Sequence, residues 1–362
     1  MSTLPTSLRT VRVPPGAAGF ALTVAATIVA LLLALVLVLS TGATVDATLD
    51  AVWNGTFATP FSSGTTTSRI VVLALVGGGY VIAARSGLVN VGGEGQIAVG
   101  GVAAAAVALK VGPSLPGPLA LAAPLVAGAL AGAFWAAIAG VLKARRGTNE
   151  VISTLLLNFV GLGLVSLVVH ETTLLRRPKT GAETLPITPP MPEPSQIPLL
   201  GFQPGSPANA GVLLAAALLF AAWVMLKWGT LGVRLRAVGL SAGTALRAGI
   251  SAAKTHTLAL SLSGALGGIA GALLVVATPF VLQEGFSAGY GFDGLIVGLL
   301  ARSSILGAVA GAVLFGSLRS GGVALEVGVG VPSETVLMVG SLLAIILAGA
   351  SRFLDRQPGG SA

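Results

Sequence analysis

Residues 85–101 read RSGLVNVGGEGQIAVGG and lie between two apolar runs, Ile70–Ala84 and Ile97–Leu109. Within the stretch, Asn90, Glu94 and Gln96 are set among six glycines. Each flanking run is shorter than the about 20 residues that a membrane-crossing helix needs. Hydrocarbon does not tolerate unpaired backbone groups, and a central carboxylate costs about 2.5–3.5 kcal/mol on insertion scales. The stretch is therefore expected to be a helix break that packs inside protein or lines a polar cavity, rather than one that faces lipid.

Composition sets the same frame. The chain has 362 residues, 54% of them hydrophobic and 9% charged, with a mean hydropathy of +0.94. A soluble domain carries about 25% charged residues, so this is an integral membrane protein. The 51 glycines suit close helix packing in lipid, where small residues let backbones approach. There is no cysteine, which excludes disulfides, iron–sulfur clusters and Cys-based zinc sites. His170 and His256 are too far apart in sequence to give a metal-ligand spacing. The net charge of +8 is scattered between apolar runs, which fits membrane orientation by basic loops better than a nucleic-acid stripe.

In chain order, an all-α polytopic fold of about ten transmembrane helices with Gly-rich breaks is expected. A cytosolic tail, 1–16, precedes a transmembrane domain over 17–351, and a second cytosolic tail covers 352–362. The expected spans are Ala17–Leu39, Ile70–Ala84, Ile97–Leu109, Leu119–Leu142, Val151–Val169, Gly211–Lys227, Thr255–Thr278, one opening at GYGFDG (289–294), Ile305–Leu318 and Thr335–Ala350. Residues 40–69 read as a polar connection and 170–209 as a Pro-rich external loop. Residues 228–254 carry Arg234, Arg236, Arg247 and Lys254 without an acid, and read as cytosolic. The short spans around 85–101 and 289–318 are also compatible with re-entrant segments. A Gly-rich break before a short span occurs in both places, although the two sequences do not align convincingly.

Two readings of the first break stay open. In one it is a turn whose Glu94 bonds exposed backbone amides. In the other Asn90, Glu94 and Gln96 line a path across the membrane, together with Asn158, Phe292 and Asp293; Asp293 could equally cap a helix. GYGFDG matches G-x-G-x-x-G, but membrane spans flank it where a dinucleotide site needs a βαβ unit. No lysine follows a glycine, so a Walker A phosphate loop is absent. An H-E-x-x-H element is absent too, and the chain is not expected to be an enzyme. The pairs Gly128/Gly132, Gly264/Gly268, Gly267/Gly271 and Gly307/Gly311 are expected to pack helices within the subunit. In the basic loop, a short helical stretch between Gly239 and Gly249, with Arg236, Ala245 and Arg247, suits a docking element.

Taken together, GLVNVGGEGQIAVGG, GTNEVISTLLLNF, LRAVGLSAGTALRAGI, SGALGGIAGALLV and GYGFDGLIVGLL resemble the permease subunits of bacterial ABC importers of the ribose/branched-chain amino-acid permease superfamily. The resemblance covers about residues 64–351 and is greatest to the nucleoside permeases, in which GEGQ and TNEVI-type signatures are typical. One departure is LLARSSILG around Arg302, where family members often carry Gly and Pro. The resemblance implies a multi-pass permease of the bacterial cytoplasmic membrane, with both termini cytosolic. It implies a second homologous permease, cytosolic ATPase subunits that carry ATP and Mg, and an extracytoplasmic substrate-binding lipoprotein as partners. No cofactor is expected on this chain itself. The loop 228–254 would dock on the ATPase through Arg236, Gly239, Ala245, Arg247 and Gly249. Alternatives are a simple-sugar permease of the same superfamily and an ion-coupled secondary transporter.

Overall fold

The computed structural model describes residues 25, 28–29, 31–178, 185–201, 203–301, 303–332, 335, 338, 342 and 346. The tails 1–16 and 352–362, much of the expected first and tenth spans, and Arg302 lie outside the described residues. After helical residues 31–39, the elements are α1 (Val45–Trp53), α2 (Pro60–Ala84), α3 (Gly93–Lys110), α4 (Gly117–Arg146), α5 (Glu150–His170), α6 (Gly211–Trp228), α7 (Thr230–Leu240), α8 (Ala242–Arg247), α9 (Ala252–Val276), α10 (Tyr290–Leu300) and α11 (Ile305–Val329).

The polar stretch 60–69, expected as a connection, is instead the first part of α2. A capping box between Thr59 and Ser62, with Pro60 at the first helical position, starts the helix there. The hydroxyls of Thr65, Thr67 and Ser68 donate to the carbonyls of Phe61, Ser63 and Gly64 at 2.9, 2.7 and 3.1 Å. Their polarity is thus satisfied inside the helix.

Six described helices are long and apolar enough to cross a membrane by length and composition: α2, α4, α5, α6, α9 and α11. The count of about ten is not reproduced among the described residues. The third expected span becomes α3, whose first turn carries Glu94 and Gln96. The eighth becomes α10, whose 11 residues reach only about 16 Å, half of a hydrocarbon layer of about 30 Å.

Helices α2 and α9 are largely buried and form the centre, whereas α4, α5 and α6 expose broad apolar faces. Glycines set the closest crossings. A methyl group at Gly132 would overlap the Gly264 carbonyl, one at Gly268 that of Gly128, and one at Gly100 the Gly268 backbone. All four G-x-x-x-G pairs therefore act within this subunit. At the end of the bundle where α9 stops, residues 188–197 lie against 276–282. The amides of Thr188, Met191 and Ile197 donate to the carbonyls of Leu282, Phe280 and Val276 at 3.0, 2.7 and 2.9 Å.

Candidate functional site

The two Gly-rich stretches interrupt the helices at the same depth and touch. Helix α2 ends at Ala84, and a turn at Arg85–Gly87 leads into non-helical residues 88–91. The chain rises to Gly92 and restarts as α3. Gly95 lies beside Asn158, eight residues along α5 from Glu150, or about 12 Å. Gly93 lies beside Val76, eight residues back from the end of α2. Both distances place the restart well inside a hydrocarbon layer of about 30 Å.

The polar side chains of this first break are bonded within the protein. Asn90 Nδ2 donates to Ser263 Oγ at 2.8 Å and to Gln96 Oε1 at 3.2 Å. Gln96 Nε2 returns a bond to Asn90 Oδ1 at 3.1 Å, which also accepts from the Gly92 amide at 2.9 Å. From α5, Asn158 accepts from the Gly95 amide at 2.8 Å and donates to the Val91 carbonyl at 2.9 Å. Thr154 Oγ1 accepts from the Val91 amide at 3.2 Å. Asn90, Glu94, Gln96 and Asn158 are all buried. The side chains repair the backbone bonds that the interrupted helix gives up.

Glu94 leaves its own break and crosses to the second. Its carboxyl oxygens accept from the amides of Gly289 at 3.2 Å and Gly291 at 2.7 Å, and the Ser287 hydroxyl also reaches it. These amides open α10, where an acceptor satisfies orphan N–H groups. Gly289 enters that turn with φ of 81°, in the left-handed region that glycine adopts without penalty. Gly291 packs so closely on the Glu94 backbone that any side chain would overlap it. From there α10 runs beside the last turns of α2, with Gly294 against Val76 and Gly298 against Tyr80. At its far end the Arg85 guanidinium donates to the Ser303 carbonyl at 2.8 Å.

The second break is open where the first is closed. Phe292 is 40% exposed. Asp293 pairs with Arg319 of α11, their side chains 31% and 26% exposed. The Arg319 guanidinium also donates to the Ala288 carbonyl and lies over the Tyr290 ring at 4.4 Å. Sequence reading had named Phe292 and Asp293 but missed Arg319, Thr154 and Glu150. Glu150 forms an ion pair with Lys143 at 2.6 Å beside the first break. Recesses of about 220 and 430 Å³ lie elsewhere, and neither is lined by residues 85–96 or 288–293.

The basic loop forms α7 and α8, joined at Ser241, whose hydroxyl caps α8 by accepting from the Thr244 amide at 3.3 Å. Gly239 sits directly on the backbone of residues 85–87, so the loop touches the turn that leads into the first break. Burial and the nearby Arg236 charge push the Arg85 guanidinium below its ordinary value. Ala245 faces the protein interior, and Gly249 turns the chain at φ of 78°. Outward lie Arg247 and two large apolar side chains, Leu240 at 88% and Leu246 at 66% exposure. Among the described residues no group of three His, Cys, Asp or Glu could hold a metal ion.

Residues 60–348 match the family described as "Branched-chain amino acid transport system / permease component". The chain is 32% identical over 304 residues to the guanosine ABC transporter permease protein NupP of Bacillus subtilis, covering 83% of this chain and 84% of that protein. It is 31% identical over 321 residues to the glucose ABC transporter permease protein TsgB13 of Haloferax volcanii, covering 83% and 79%. Identity to the nucleoside ABC transporter permease protein NupB of Lactococcus lactis is 30% over 292 residues, covering 79% of each. No solved structure matches significantly. With its apolar crossing helices and paired breaks, the chain belongs to the family of permease components of branched-chain amino acid transport systems.

Proposed function

We propose that this chain is the membrane-spanning permease subunit of an ATP-binding-cassette importer that carries nucleosides across the cytoplasmic membrane. The observation that carries the proposal is the meeting of two helix breaks at membrane depth, joined by Glu94. Interrupted helices are how transporters present polar groups along a path through lipid. The similarity to guanosine and nucleoside permeases points to the substrate class, and the glucose relative supplies the competing one.

In this reading Asn90, Gln96 and Asn158 hold the wall of the path from behind, Glu94 fixes the two breaks to each other, and Phe292 and Asp293 face the solute. Both termini lie on the cytosolic side. A second homologous permease completes the path, and an extracytoplasmic lipoprotein delivers the substrate. Energy comes from cytosolic ATPase subunits that hold ATP and Mg. Helix α8 docks there with Leu246 and Arg247 outward, flanked by Arg236 and Gly249. Its motion reaches the break through Gly239 and the turn at 85–87. Ala245 supports that helix from within.

Uptake of labelled guanosine and labelled glucose by cells with and without this gene tests the reading. Guanosine uptake that depends on the gene is the expected result; dependence of glucose alone would replace the substrate class. Leu246→Asp should abolish co-purification with the ATPase while the permease still inserts. Retained co-purification would remove α8 from the docking surface.

A further inference from the structure

We infer that Asp293, Arg319, Tyr290 and Phe292 form a solute-contacting station halfway across the membrane, and that it takes a planar nitrogen heteroaromatic ring with hydrogen-bonding edges. The inference rests on the permease reading and names the part of the path that touches the substrate. Arg319 is 14 residues past the start of α11, about 21 Å along the helix. Asp293 lies in the first turn of α10, at the level where Glu94 joins the two breaks. The ion pair is therefore at membrane depth.

An ion pair that is about a quarter to a third exposed cannot face acyl chains, because intramembrane charges turn to the bundle interior or a water-filled cavity. Nor is the pair self-sufficient. Arg319 offers five N–H donors, and among the described residues they meet Asp293 and the Ala288 carbonyl. Asp293 bonds Arg319 through Oδ2, and among the described residues Oδ1 meets no donor. Among the described residues, donors of Arg319 and an acceptor of Asp293 are thus left over side by side. Tyr290 backs the guanidinium from behind, fixing its plane, and Phe292, adjacent to Asp293 in the chain, offers an exposed ring.

The chemistry of this set is selective. An aromatic face stacks on a base regardless of its identity, worth about 1–3 kcal/mol per base in other proteins. A carboxylate accepts from ring or exocyclic N–H groups, and a guanidinium donates to a carbonyl or ring nitrogen. A pair of opposite charges leaves the station close to neutral, which suits an uncharged permeant. A hexose offers hydroxyls to the pair but no ring face to Phe292.

The test uses the whole transporter, co-expressed with its partner subunits. Asp293→Asn and Arg319→Gln should each raise the KM for guanosine by about 10- to 100-fold, as loss of a hydrogen bond to a charged group implies. The exchanged double variant Asp293→Arg/Arg319→Asp should restore membrane abundance but not the KM. Guanosine should slow modification of the Phe292→Cys variant by a hydrophilic thiosulfonate, and glucose should not. An exchanged pair that transports with the original KM would show a structural strut and overturn the inference. So would protection by glucose instead of guanosine, because a solute without a ring face would then occupy the station. Wild-type cells report separately on the nucleoside reading: uptake of glucose alone would reject it whether or not Phe292→Cys is modified.

Discussion

The two helix breaks are both built around glycine and end in opposite states. Around 88–95, Asn90, Asn158 and Thr154 bond the backbone of Val91, Gly92 and Gly95, Gln96 holds Asn90, and the polar side chains are buried. At 288–293, the backbone amides are closed by a carboxyl group borrowed from the first break. The local side chains, Phe292 and Asp293, remain partly exposed. The difference lies in what each break packs against. The first is surrounded by α5 and α9, which bring Asn158, Thr154 and Ser263. The second has α2 on one side, leaving its other side to Arg319. A sealed break can act as a fixed wall, and an open one can meet a solute.

The junction between the breaks is where the comparison breaks most completely. Gly291→Ala would drive a methyl group into the Glu94 backbone. Overpacking of a tight site costs about 1–3 kcal/mol and at times more, so uptake and thermal stability should both collapse. A stable, active variant would mean that the two breaks are not in register. Glu94→Ala should come next. It strips the partner from two amides at membrane depth, at about 1–3 kcal/mol each, and should lower both the melting temperature and uptake. Glu94→Gln keeps an acceptor and should lie between wild type and the alanine variant; equal losses in both would show that the charge, not the geometry, is at work.

Arg85→Met tests the link at the other end of α10. Loss of its bond to the Ser303 carbonyl should cost about 1.5–3 kcal/mol at most, reduced by its partial exposure. It should reduce coupled ATP hydrolysis more than it reduces membrane abundance. Ser263→Ala should do least. Asn90 loses one partner and keeps Gln96, so a loss of about 0.5–1.5 kcal/mol is expected, seen as a small drop in melting temperature with uptake near normal.

Much of this architecture was legible in the sequence. Glycines and polar residues between two short apolar runs can only be a break, because no other backbone arrangement survives at that depth. The turn reading of Glu94 contained part of the answer: it does bond exposed amides, but those of the other break, which no spacing within 85–101 reveals. The start of α2 was missed because Thr and Ser in 60–69 look like a loop until their hydroxyls bond back to the preceding turn. Arg319 was missed because it stands alone in VLFGSLRSGG, and its partner is 26 residues away. In the loop, Ala245 looked like a seat for a partner. Within a helix of 6 residues each position turns the side chain by about 100°, so Ala245 points inward while its neighbours Leu246 and Arg247 are exposed.

The contrast between a sealed and an open break is tested most directly by thiol accessibility in intact membranes, on a chain that has no cysteine of its own. Single Ala98→Cys and Phe292→Cys variants should be exposed to the same hydrophilic, thiol-reactive reagent. Ala98 is fully buried one turn past Glu94, and Phe292 is 40% exposed. Rapid modification of the Phe292→Cys variant and none of the Ala98→Cys variant is the expected result. Modification of the Ala98→Cys variant, with the Phe292→Cys variant inert, would put the water-filled path at the first break and contradict the arrangement described above.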